Sequence, residues 1–381
     1  MTKSLLLGIG LALAIGGAAR ADTVKVGVII PASGPFATWG HQTAGGVRVY
    51  QELHGKQVAG NDVDVVIRDD GGPNPARARQ LAEEFVVRDR VSFLMGFAFS
   101  PNALAVADLV TRAKTPTILT NAASGSITGK SPYFVRVSFS LGQVAAPLGQ
   151  WAAKSGYATV ASVIADYLSG TESNAAFATS FTAGGGRVVD TIRVPLDVVD
   201  FAPYYQRVLQ DKPRAMYGFG TGGANSLTMV RSWSERLRPA GIAFLGALQL
   251  QQMDLPAIGD AAIGVVSSTH YPEHADNPLN QALWRQWRKD FPDPHSVPDI
   301  ATVAAYDAME LIYRAVAKFG PTVTGDQAIG FFKGMQVVSP RGSFTIDPQT
   351  RDIVQNVYLQ KVEKRNDILE NVPFDVIKDV R

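Results

Sequence analysis

Short runs rich in β-branched and aromatic residues alternate with longer amphipathic stretches from residue 22 onward. VKVGVII precedes a helical pattern over 39–54, DVDVVIRD one over 75–90 and VSFLMGF one over 101–113, after which comes PTILT. Consecutive parallel strands need a crossover of a dozen or more residues, usually a helix, so this rhythm restricts the chain to an α/β fold built on parallel sheets.

The rhythm breaks at a non-periodic patch, 138–142, and then resumes. Helical patterns over 143–154, 171–183, 201–210 and 224–237 interleave with ATVASVI, GRVVDTIRV, RAMYGF and IAFLGAL, which predicts a second lobe of the same kind. IGVVSSTHY follows, then helical patterns over 279–290, 298–319 and 326–333, and finally SFTID and VQNVYLQKVE. With 381 residues, 46% of them hydrophobic, the chain has material for two cored lobes.

Residues 1–21 read as an export signal. Lys3 precedes an apolar run over 5–15, and Ala19, Arg20 and Ala21 form an A-x-A cleavage pattern, so Asp22 is the expected mature N-terminus and the expected location is the periplasm. The run is shorter than the roughly 20 apolar residues of a spanning helix. Removing it takes away Lys3 and Arg20 and leaves 34 basic and 34 acidic side chains, a balance that argues against a nucleic-acid partner. Cysteine is absent, which excludes disulfides, thiol chemistry and cysteine-bound metals.

Three motif matches invite functional readings. GFGTGG, 218–223, fits the dinucleotide pattern G-x-G-x-x-G between a strand and a helix, but the next strand ends in ALQLQQ without the acid that would hold a ribose hydroxyl. A close-packed turn is the plainer explanation, with an NAD-dependent oxidoreductase kept as the enzyme alternative. SGSITGKS, 124–131, ends like a phosphate loop, but Ser124 stands where the first glycine belongs and Pro132 interrupts the helix. HYPEH, 270–274, matches a zinc-peptidase pattern that needs a helix, and Pro272 opposes one. No G-x-S-x-G elbow occurs, and His41, His54 and His295 are scattered; the expectation is no enzyme activity and no cofactor or metal.

Chemistry is better placed at two strand ends. VSFLMGF runs into Phe99, Ser100 and Pro101, where Ser100 suits a helix N-cap and Pro101 the first helical position. PTILT opens into a hydroxyl-rich turn, 121–126. Together their N–H and O–H groups could cradle a carboxylate; the bland alternative is that Ser100 only caps and the turn only turns.

Several stretches carry a family resemblance: VKVGVIIPASGPFATWGHQTAGGVRVYQE, IRDDGGPNPARARQLAEEFVVRDRVSFLMGFAFSPNALAVADLV, TPTILTNAASGS, ASVIADYLSG and ATVAAYDAMELI. In order and spacing the chain resembles the leucine/isoleucine/valine-binding family of type I periplasmic solute-binding proteins, receptors of ATP-driven (ABC) importers. The resemblance implies two αβα lobes joined by a three-crossing hinge, near 138–142, 267–271 and 338–345. The N-terminal lobe is then 22–140 plus 270–340, and the C-terminal lobe 141–269 plus 341–381.

It also implies that a ligand carboxylate is held by Ser100, Ala122, Ala123 and Ser124. The second-lobe acid that balances an amino-acid ammonium is replaced by Ala247, Leu248 and Gln249, and a pocket tyrosine by Thr221. Phe36, Trp39, Phe97, Phe99, Tyr167 and Tyr306 are the implied aromatic walls. DYLSG and LPAIGDAAIGVVSSTHYPEHADNPLN look most like the branch that takes aromatic acids such as benzoate derivatives and phenylpropanoids. The expectation is a monomeric exported receptor that binds a small carboxylate unchanged and presents it to an ABC permease at the inner membrane. A branched-chain amino acid is the alternative ligand, with Asp166 or Glu172 meeting its ammonium.

Overall fold

The structure, a computed structural model, describes residues 22–381; the expected export signal lies outside them. The first lobe is built from β1 (Thr23–Ile30), α1 (Ala37–His54), β2 (Gln57–Val58), β3 (Asn61–Asp69), α2 (Pro75–Glu83), β4 (Phe93–Gly96), α3 (Ser100–Ala113), β5 (Thr117–Leu119) and β6 (Phe134–Arg136). Its sheet runs β2-β3-β1-β4-β5-β6, parallel except for the short β2–β3 hairpin. The period-2 alternation of β1 sorts its side chains between two helical layers. Val24, Val26, Val28 and Ile30 join a core with α1 and later helices, while Ile29 joins the core under α2 and α3. Gly27 faces that second layer because a Cβ there would stand 2.8 Å from the Phe85 ring.

The second lobe comprises α4 (Leu141–Lys154), β7 (Thr159–Ala165), α5 (Leu168–Ala183), β8 (Arg187–Val194), α6 (Ala202–Asp211), β9 (Ala215–Phe219), α7 (Gly223–Arg236), β10 (Ala243–Ala247), α8 (Leu255–Ile258) and β11 (Val266–Thr269). Its parallel path is β8-β7-β9-β10-β11, which repeats the connectivity of β3-β1-β4-β5-β6. Both lobes are doubly wound sheets in which the strand order reverses once, the feature that opens a crevice at the carboxyl ends of the strands.

The chain then returns through α9 (Pro278–Asp290), α10 (Ile300–Phe319), α11 (Gly325–Phe332), β12 (Gln336–Ser339), β13 (Gly342–Ile346), β14 (Ile353–Arg365) and β15 (Ile368–Val380). Leu283, Trp287, Ile312 and Phe332 pack into the first-lobe core, and so do Val337, Phe344, Ile346 and Ile353. Val357 and Leu359 of the same strand β14 pack into the second lobe. The third passage between lobes therefore runs along β14 rather than at 338–345, because the apolar side chains of the β12–β13 hairpin belong to the first core. The final hairpin to β15 was not anticipated, although Asn366 and Asp367 (φ 48° and 64°) form the left-handed two-residue turn those residue types favour.

The three passages meet at one buried side chain. The Arg341 guanidinium donates to the Ser138 carbonyl (3.3 Å) on the first and to Gln355 Oε1 (3.0 Å) on the third, and lies 2.9 Å from His270 Nδ1 on the second. It pairs with Asp307 of α10 at 2.5 Å. Burial and the Arg341 charge hold the His270 pKa well below its ordinary value, so the ring is neutral and Nδ1 accepts. Among the described residues no helix is long and apolar enough to cross a membrane.

Candidate functional site

The carboxyl ends of the two parallel sheets face each other across a cavity of about 220 Å³. Most strand ends of both lobes contribute through the loops that follow them, as expected where two switch points are opposed. β4 delivers Phe99 and Ser100, β5 Asn121 and Ala123, β7 Tyr167 and Ser169, β9 Thr221 and Gly222, and β10 Leu248 and Gln249.

Ser100 is the first residue of α3 rather than its cap; Phe99, extended at φ −119° and ψ 134°, occupies the cap position without a side-chain bond. The Ser100 hydroxyl accepts from the Ser124 N–H at 3.0 Å, tying the two strand-end loops together. Asn102 braces the same helix end by donating to Asp70 Oδ2 (2.9 Å) and the Gly72 carbonyl (2.8 Å). The backbone N–H groups of Ser100 and Ala123 take no protein acceptor among the described residues, and both residues line the cavity. One of these donors opens the N-terminus of α3 and the other lies in the loop after β5, and unpaired N–H groups of this kind are suited to cradle an anion.

Ala122 and Ser124, expected in that cradle, lie behind it. The Ala122 N–H donates to the Phe97 carbonyl (2.9 Å), and its own carbonyl accepts from Arg136 Nη1 (3.2 Å). The Ser124 hydroxyl donates to Glu172 Oε1 of the second lobe at 2.8 Å. Their polar groups are already spent on holding the loop, so they position donors rather than act as donors. Arg136, fully buried and paired with Asp352, also donates to the Ser124 carbonyl (2.9 Å); it was not singled out from sequence because one arginine in a strand carries no local signal.

Trp39 and Phe99 wall the cavity from the first lobe, with Phe36 edge-on to Phe99 at 4.9 Å, and Tyr167 walls it from the second. Phe219, 6.4 Å from Tyr167, and Phe139 of the first passage line it too. Sequence reasoning missed both. Phe219 had a usable signal as the last residue of a strand, whereas Phe139 lies in the patch without periodicity. Phe97 and Tyr306 are not walls. Phe97 turns at φ 65° and is fully buried under α3 with Ala103 and Val106. Tyr306 lies six residues beyond Ile300, the α10 residue that lines the cavity, or about 9 Å along the axis. Its hydroxyl instead meets His54 Nε2 at 2.9 Å.

The glycine-rich turn faces the cavity. Gly222 has φ 86°, so glycine meets a backbone need, and a Cβ there would make only ordinary contact with the Trp39 ring at 3.6 Å, where the lobes approach. The Thr221 and Gly222 N–H groups are held by Asn225 Oδ1 and Ser226 Oγ, so neither is open to a phosphate. HYPEH forms no helix: His270 faces Arg341, while His274 stacks on Trp284 at 5.4 Å. SGSITGKS contains a 3₁₀ turn, Ile127–Lys130, and no α-helix.

No Asp, Glu, Lys, Arg or His side chain is among those lining the cavity. Asp166 is paired at the surface with Arg193, and Glu172 is engaged by Ser124 and by the Gly125 N–H (3.3 Å), so neither acid is free to meet an ammonium. Burial pushes the Tyr167 hydroxyl up to about 12, keeping it a neutral donor. An uncharged, aromatic chamber with N–H donors at one end suits a flat organic anion and disfavours a buried cation.

Comparison with known proteins agrees with this geometry. A family model described as periplasmic binding protein matches residues 23–367. A Leu/Ile/Val-binding protein homolog 6 from Brucella melitensis biotype 1 is 39% identical over 352 residues, covering 92% of this chain and 90% of that one. A solute binding protein of an ABC transporter from Rhodopseudomonas palustris BisB5, solved in complex with 3,4-dihydroxy benzoic acid, is 40% identical with a TM-score of 0.89, covering 94% of this chain and 98% of its own. Another from Rhodopseudomonas palustris HaA2, in complex with p-hydroxybenzoic acid, is 39% identical with a TM-score of 0.91 over the same shares. Two doubly wound lobes, three passages and a cavity between facing strand ends thus find their counterpart in sequence: the chain belongs to the periplasmic binding protein family.

Proposed function

We propose that this protein is the exported solute-binding component of an ABC import system, that it captures a small aromatic carboxylate between its lobes, and that it releases the ligand chemically unchanged to a permease. The observation that carries the reading is the charge-free aromatic cavity with the unbonded N–H groups of Ser100 and Ala123 at one end. The Rhodopseudomonas palustris proteins, solved with hydroxylated benzoic acids, support the ligand class. The curated relatives carry a branched-chain amino-acid name. Against that ligand stands the cost of burying an ammonium without a counter-charge, several kcal/mol or more.

The test is calorimetry on the mature chain with benzoate, 4-hydroxybenzoate, a phenylpropenoic acid and leucine. At least one aromatic acid is expected to bind more tightly than leucine and to raise the melting temperature by mass action. Tighter leucine binding, or a new product after incubation with the acid, overturns the reading.

A further inference from the structure

Beyond the carboxylate cradle, the Gln249 carboxamide in the cavity wall has no strong partner of its own. Gln249 follows Leu248, a non-glycine residue held at φ 53° at the carboxyl end of β10. Backbone strain at a cavity edge persists only where the surroundings enforce it. Here the Leu248 N–H is fixed on the Ser268 carbonyl at 2.9 Å, and Gln249 is turned inward, 5% exposed and lining the cavity. Its Nε2 reaches only the Met229 sulfur at 3.8 Å, and its Oε1 takes no donor among the described residues. A buried carboxamide left so poorly bonded is unusual, because unmade hydrogen bonds of this kind are costly.

Of the other polar side chains there, Asn121 Nδ2 donates to the Ala98 carbonyl (2.9 Å) while its Oδ1 takes no donor among the described residues, and Ser226 Oγ accepts from Gly222 (3.1 Å). Gln249 belongs to the second lobe and the cradle to the first, so the two line the cavity from opposite lobes.

We propose that Gln249 is a specificity-determining residue that selects aromatic acids bearing a ring hydroxyl away from the carboxylate. This rests on the aromatic-carboxylate reading above. A phenolic hydroxyl both donates and accepts, so it satisfies the carboxamide in either orientation, whereas an unsubstituted ring leaves it bare. Sites built to bond a hydroxyl reject the analogue without it, because their own buried groups go unpaired.

Calorimetry compares benzoate with 4-hydroxybenzoate on the wild-type chain, on Gln249→Leu and on Gln249→Met, the second variant being closer in length should the first not fold. The wild type is expected to prefer the hydroxylated acid about tenfold or more, one hydrogen bond's worth. In a folded variant the preference should fall to about threefold or less through weaker 4-hydroxybenzoate binding, with benzoate nearly unchanged. A preference that survives in either folded variant, or a wild type that binds both acids alike, overturns the proposal while leaving the aromatic-acid reading in place. Failure of the wild type to bind either acid overturns the proposal, and failure to bind the phenylpropenoic acid as well removes the aromatic-acid reading too.

Discussion

Ser100 does two jobs with separate backbone and side-chain groups. Its N–H opens to the cavity, and its hydroxyl accepts the Ser124 N–H while remaining free to donate. Ser100→Ala therefore removes a ligand donor and strands a buried N–H at once. The expected outcome is a loss of ligand affinity of about 1.5–3 kcal/mol by calorimetry, with an accompanying loss of apo stability of about 1–3 kcal/mol by denaturant unfolding. A serine that only capped its helix would lose the second without the first. At this scale the sequence was informative for the loops that leave the strands: Ser100, Ala123, Tyr167, Thr221 and Leu248 reach the cavity from such loops. It was misleading for Phe97, where a left-handed turn reverses the side chain, and for Tyr306, where distance along a helix decides.

Among the elements, α5 links the two lobes most directly. Tyr167 and Ser169 at its start line the cavity, and Glu172, one turn on, accepts from the Ser124 hydroxyl and the Gly125 N–H of the first-lobe loop that also carries Ala123. One helix thus both lines the cavity and grips the loop that carries the cradle. Glu172→Ala is expected to raise the ligand dissociation rate about tenfold in stopped-flow measurements, the scale of a charge-assisted hydrogen bond, with the association rate little changed. Equal dissociation rates would show that the contact does not hold the closed form. The helices and strands themselves were legible from periodicity; this contact was not, because residues 48 apart in sequence meet only once both lobes are folded and docked.

For the whole molecule, the junction of the lobes carries three carboxyl groups from three places, Glu273 and Asp299 buried and Asp254 half-buried. Asp254 comes from the second lobe, Glu273 from the second passage and Asp299 from the cap of α10. Burial raises them to about 6, about 7 and about 7, respectively, and repulsion from neighbouring carboxylates adds to the shift of Glu273 and Asp299. A carboxyl group with a raised folded-state pKa holds its proton where the unfolded chain has lost it, so its contribution to stability falls as pH rises from the unfolded to the folded value. For Glu273 that window runs from 4.5 to about 7. Glu273→Gln should therefore gain stability relative to the wild type as pH is raised through this range, the difference flattening above it. Calorimetric melting of both proteins at several pH values checks this, and a difference that shrinks with pH would contradict it.

The sequence by itself determined the two doubly wound lobes and the loops that could face a ligand, because hydrophobic period and strand-to-helix junctions are local properties of a chain. Only the tertiary structure decided that Ala122 and Ser124 brace the cradle, that β14 carries the third passage and that Arg341 joins all three passages. Those facts depend on which polar groups are already satisfied and which core each apolar side chain enters. Neither is fixed until segments far apart in the chain compete for the same partners.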